Sequence, residues 1–155
     1  MGHWGANIAL WSGRDLIAGG ISVPPLGEEL IAVRGRGVER NGKPWKATHP
    51  MNEALESTTV VVEKSFANEF IDFALKQHRW ISKLGYINVF ASGTYPITEI
   101  CLGRLGAGIF PDMGKVHVAA GAAVARELGL KVTDAAGKEI DWSGNSRIPL
   151  LVIAW

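Results

Sequence analysis

The chain has 155 residues, 47% of them apolar and 20% charged, with a formal net charge of +1. That length fits one domain burying about 70% of its unfolded surface, and an even charge balance without a basic run leaves no electrostatic footprint for nucleic acid. No apolar stretch reaches membrane-spanning length, no signal-peptide pattern opens the chain, and the single Cys101 excludes an intramolecular disulfide framework, so the cytoplasm is the expected compartment.

In chain order, residues 4–45 read as an antiparallel meander. Trp4 to Trp11 is a strand, Ser12 to Asp15 a hairpin turn, and Leu16 to Val23 the returning strand, in which Gly19-Gly20 marks a bulge or a close backbone approach. Pro24 to Gly27 breaks it. Glu29 to Arg34 and Val38 to Arg40 follow, separated by Gly35-Arg36-Gly37, a loop without the downstream glycine of a phosphate-binding turn. Asn41-Gly42 is the strongest hairpin signal, because a type I′ turn needs φ > 0 at both central residues. A linker is expected at Thr48 to Asn52, carrying a solvated His49; His3, near the N-terminus, reads as solvated too.

The pattern then alternates between strand and helix. Thr58 to Glu63 is a β-branched run suited to a strand covered on both faces. Ser65 is positioned to cap a helix in which Phe66, Phe70, Phe73, Ala74 and Gln77 share one side as far as Arg79. Tyr86 to Phe90 is a strand, and Thr94 caps the next helix, with Pro96 in its first turn. Ile109-Phe110 reads as a short strand. An alanine-rich helix spans Val116 to Leu128 and stops at Gly129, and Lys131 to Thr133 and Leu150 to Ala154 supply the last strands. The expected fold is α/β (α+β): one domain over 1–155, with an antiparallel meander (1–47) leading into an α/β sandwich whose helices flank a mixed sheet (57–155).

Several segments carry a resemblance. Asn7 to Leu10, Val33 to Val38 and Asn41 to Pro44, then Gly93-Thr94 through Leu102, Phe110 to Gly114 and Val118 to Gly129 resemble, in order and spacing, the C-terminal portion of the inositol monophosphatase family of Mg²⁺-dependent phosphomonoesterases. The resemblance implies a substrate site beside Gly93 and Thr94, an acidic residue at Asp112 accepting hydrogen bonds from substrate hydroxyls, and a metal-binding Asp where this chain has His117. Nothing here resembles the family's Asp-Pro-Leu-Asp-Gly-Thr metal motif.

Mg²⁺-assisted phosphate hydrolysis needs clustered hard oxygen ligands. A neutral imidazole at His117 suits Zn²⁺ better, and an ordinary histidine at a helix start is the competing reading. Asp112 reads equally as a carboxylate capping the following helix, and Thr94 as a plain N-cap. Cys101 reads as a buried small hydrophobe, and the six tryptophans as scattered packing residues. The expectation is a truncated or degenerate member of the family without autonomous phosphatase activity. Gly93, Thr94, Asp112 and His117 would be its vestigial small-anion site; there would be no metal and no cofactor, Mg²⁺ entering only if another chain supplied the missing ligands. The alternative is the C-terminal half of a split phosphomonoesterase completed by a complementary N-terminal-half chain. The meander strands are apolar on both alternations, which predicts a homodimer through residues 4–34 anchored by Trp4 or Trp11, with no membrane or nucleic-acid partner.

Overall fold

A computed structural model describes residues 3–48, 54, 56–64, 66–144 and 146–155. The meander forms as expected: β1 (Ala6–Ser12), β2 (Asp15–Val23), β3 (Glu28–Val33), β4 (Gly37–Arg40) and β5 (Lys43–Trp45) lie in sequence order in one antiparallel sheet. Asn41 and Gly42 both take positive φ, 49° and 73°, as a type I′ turn requires. The Asn41 carboxamide closes this corner by accepting from the Glu29 N–H at 2.8 Å and donating to the Gly27 carbonyl at 3.1 Å.

The second sheet is mixed. It contains β6 (Thr59–Val62), β7 (Tyr86–Asn88), β8 (Ala107–Gly114), β9 (Lys131–Thr133) and β10 (Arg147–Ala154), in the order β7-β6-β8-β10-β9. β6 runs parallel to β7 and β8, while β10 is antiparallel to β8 and β9. Among the described residues the helices that connect these strands are α1 (Ala67–Lys76), α2 (His78–Ile81), α3 (Thr94–Cys101) and α4 (Lys115–Glu127). α3 and α4 pack against each other and touch strands of both sheets, so they form the middle layer. The fold is the expected antiparallel sheet joined to a mixed α/β layer.

Two close approaches set that layer. A Cβ on Gly19 would lie 2.4 Å from the Ala120 carbonyl oxygen, so β2 and α4 meet only because the residue is glycine. A Cβ on Gly121 would lie 2.4 Å from Ile97 Cγ2, which brings α3 equally close to α4. Gly19 is therefore a site of close approach; the meander's register shift lies in β1, between Leu10 and Trp11. α4 ends as its sequence indicates: Gly129 has φ 86° and donates to Arg126, and Leu130 reaches back to Ala125.

Three local expectations need correction. β8 spans eight residues rather than two, because β10 pairs with it from Arg147↔Gly114 to Ala154↔Ala107, with Gly108 and Pro111 inside the ladder. β10 likewise begins at Arg147 rather than Leu150. The helix expected to run through to Arg79 breaks at Gln77 (φ −109°, ψ 13°), and neither α1 nor α2 has a buried residue. Ser65 and the linker from His49 to Asn52 lie outside the described residues.

The core joins both sheets to α3 and α4, with Leu30, Ile97, Ile100, Phe110, Val124, Trp142 and Leu151 fully or almost fully enclosed. Cys101 is buried as expected, and burial pushes its thiol well above the usual range. The far face of the meander is uncovered: Ile8 is 77% exposed, Leu10 60%, Ile31 42% and Val33 37%. Among the described residues no helix is long and apolar enough to cross a membrane.

Candidate functional site

The parallel strands β7 and β8 deliver the chain to the N-termini of α3 and α4. In mixed and parallel sheets, the carboxyl ends of such strands are where ligands bind. Here the two helix starts touch: a Cβ on Gly93 would lie 2.7 Å from the His117 carbonyl oxygen. Beside this contact opens a cleft of about 320 Å³ lined by residues of three segments: His3 to Asn7 from the meander's entry, Ala91 to Thr94 before α3, and Met113 and His117 at α4.

Thr94 differs from its expected role. It is the first helical residue of α3, preceded by Gly93, and its side chain does not cap the helix. Its hydroxyl instead accepts from Asn7 Nδ2 at 2.8 Å, which ties the first meander strand to the helix start. Capping falls to Ser92, whose Oγ accepts from the Tyr95 N–H at 3.2 Å. On the α4 side, the Lys115 N–H donates to the Ser146 carbonyl at 2.8 Å. The buried Lys115 Nζ reaches the carbonyls of Trp142 at 2.7 Å and Gly144 at 3.0 Å, which pins the first turn of α4. His117 is exposed in that turn, over the cleft.

Gly93, Thr94 and His117 thus come together, and Asp112 goes elsewhere. Asp112 lies within β8 at φ 48°, and Gly114, not Asp112, precedes α4, so the capping reading does not hold. Its carboxylate forms a two-pronged pair with Arg147, Oδ1 to Nε at 2.7 Å and Oδ2 to Nη2 at 3.0 Å, and its backbone carbonyl accepts from the same guanidinium. Hydrogen bonding to Arg147, aided by the charges of Arg147 and Lys64, holds this carboxyl below the usual range. Met113, its neighbour on the other side of the strand, is the one that lines the cleft.

Among the described residues no carboxylate lines the cleft and no three metal-ligating side chains cluster. The donor set of imidazole, hydroxyl and carboxamide does not fit Mg²⁺, which takes carboxylate and other hard oxygen ligands. It does fit an anion: two helix N-termini meet here, each carrying partial positive charge.

Sequence reasoning missed three residues. Asn7 sits in a strand, Ser92 in a loop, and Glu63 at the end of β6, where its buried carboxylate accepts backbone N–H groups of Phe90 at 2.7 Å and Ser92 at 3.2 Å. The one available signal was Glu63 itself, a charged residue closing an otherwise apolar strand.

No curated protein sequence matches the chain. The sequence profile of the inositol monophosphatase family matches residues 2–150. Similar solved structures include an inositol monophosphatase from Thermotoga maritima (TM-score 0.75, 21% identity), of which the alignment covers 54%, against 96% of this chain. Extragenic suppressor protein suhB from Bartonella henselae superposes with TM-score 0.79 at 21% identity, covering 97% of this chain and 56% of that one. A phosphatase described as an IMPase/NADP phosphatase, solved with Mg²⁺ and phosphate, superposes with TM-score 0.72 at 19% identity, covering 94% and 52%. The chain spans about half the length of these relatives. With the profile matching nearly its whole length, it belongs to the inositol monophosphatase family.

Proposed function

We propose that this chain binds the phosphate group of a small phosphometabolite in the cleft at Gly93, Thr94 and His117, and that it does not hydrolyse phosphate esters by itself. The observation that carries the reading is the meeting of two helix N-termini at a cleft whose described lining includes two histidines, His3 and His117, and no carboxylate. Support also comes from the relative solved with Mg²⁺ and phosphate. Asp112, engaged by Arg147, adds no charge to the cleft lining.

Two measurements test it. Calorimetry with sulfate should show binding to the chain at fixed pH. His117→Ala should weaken that binding most and His3→Ala less; binding indifferent to both substitutions refutes the site. Purified chain with Mg²⁺ should release no phosphate from inositol, sugar or nucleotide phosphates, and metal-dependent turnover would overturn the non-catalytic reading.

Assembly belongs to the same proposal. Ile8, Leu10, Ile31 and Val33 leave an apolar patch exposed on the outer face of the meander, larger than single scattered apolar residues would make. We infer that a second copy covers the apolar face of the meander through residues 4–34, with Trp4 and Trp11, both exposed, among its anchors. Light scattering at micromolar concentration should give a dimer. A stable monomer, or a stable complex with a different chain in its place, rejects it. That second outcome would favour the split-phosphatase reading, which the half-length match to the relatives keeps in view. A reducing, cytoplasmic setting fits the single buried thiol.

A further inference from the structure

Glu63 follows the last residue of β6 with its side chain almost fully enclosed, at 1% exposure. A buried carboxylate is costly unless its oxygens are satisfied, and a cation is the usual partner. Among the described residues Glu63 has no such cation; the neighbouring Lys64 pairs with Glu69 at 3.0 Å instead. What Glu63 holds is backbone. Oε1 accepts from the Phe90 N–H at 2.7 Å and Oε2 from the Ser92 N–H at 3.2 Å. The two oxygens therefore grip a three-residue arch whose middle residue, Ala91, sits at φ 54°, a conformation that strains any residue with a Cβ. The arch leads straight into the cleft: Ser92 caps α3 through Tyr95, and Ala91, Ser92, Gly93 and Thr94 all line it.

We propose that Glu63 is the positioning residue of the anion site: its carboxylate holds the 90–92 arch in a strained form that aims the start of α3 into the cleft. This rests on the anion-binding reading above. Burial outweighs the amide donors and pushes the Glu63 carboxyl up from its ordinary value. A buried carboxylate whose two oxygens are given over to the 90–92 backbone is the pattern expected of a group that preorganises a binding loop.

Glu63→Gln separates positioning from packing. It keeps the shape and one acceptor oxygen, but turns an NH₂ donor toward an N–H donor, so the arch can relax. Inorganic phosphate should bind about tenfold more weakly, while the melting temperature at pH 7 stays level or rises. Adding Ala91→Gly, which makes φ 54° available without strain, should recover at least threefold of the lost affinity. A Glu63→Gln protein that binds phosphate within twofold of the parent overturns the inference, as does a double variant with no recovery. Should the parent bind no phosphate, the anion reading falls, and amide exchange still decides the role of Glu63. The Phe90 and Ser92 amides, which lie outside any helix or strand, should be protected like strand amides in the parent and exchange at least tenfold faster in Glu63→Gln. If they exchange freely in the parent, the arch is not held and the inference fails.

Discussion

Glu28 and Glu63 are both buried carboxylates, and their surroundings push them in opposite directions. Glu28 accepts from Arg40 at 2.7 and 2.5 Å and from Arg104 at 3.2 Å. The Arg40 hydrogen bonds, opposed by burial and aided by both guanidinium charges, hold its carboxyl below the usual range. A lowered folded-state pKa contributes stability above the unfolded value of about 4.3 that is lost as pH falls through the folded value. Glu28→Gln should therefore cost about 2 kcal/mol in urea melts at pH 7, the scale of charged hydrogen bonds, and much less near pH 3. An equal loss at both pH values would contradict this assignment. Glu63 carries the opposite sign: its raised pKa means that stability declines as pH rises from about 4.3 through its folded value. At this scale the sequence indicated the cleft only in part. Gly93, Thr94 and His117, which line it together, stood out because they lie inside short motifs. Asn7 was not, because its partner Thr94 is 87 positions away, and Glu63 was not, because the amides it holds lie 27 and 29 positions on.

Among the elements, α4 bears the most, since it touches both sheets and α3. Its alanines and Gly121 leave no bulk, and β2 answers with Gly19. Gly19→Ala should destabilise the fold by about 2–4 kcal/mol, because the new Cβ meets the Ala120 carbonyl at 2.4 Å and Ala123 Cβ at 2.8 Å, neither able to swing aside. Gly144→Ala, with nothing within 4 Å of its Cβ, is the control and should stay within about 0.5 kcal/mol. Similar melting temperatures for the two variants would show that the helix can withdraw. The sequence announced α4 and its Gly129 stop, and it offered a close approach as one reading of Gly19. It did not announce the length of β8, which the pairing with β10 extends well beyond Ile109-Phe110. Nor did it announce the break at Gln77: the expected helix ran on to Arg79, but among the described residues no core face covers α1 and α2 to hold them as one helix.

For the whole molecule, the unanswered surface is the meander's outer face. Ile8 and Ile31 flank Gly20 in the paired register, making a trough floored by glycine and Ser22. Ile8→Asp should raise the dissociation constant of the proposed dimer at least a hundredfold, read by sedimentation, while leaving the fold intact, because the side chain is 77% exposed in its own protomer. A variant dimer as tight as the parent would move the interface elsewhere, the exposed Phe66, Ile71 and Leu75 being the next apolar group. The sequence alone determined that this sheet would be apolar on both faces, since strand alternation has a period of two and Ile31, Val33, Leu30 and Ala32 fill both phases. It determined the strand order of the meander as well, through its short turns. Tertiary structure alone decided which phase is buried. Leu30 and Ala32 face inward because Gly19 lets α4 reach that side, and Ile31 and Val33 are left to solvent. In the same way only the folded chain sets His117 against Gly93 and turns Asp112 toward Arg147, because a pleated strand sends Asp112 and Met113 to opposite sides and only one side meets the cleft.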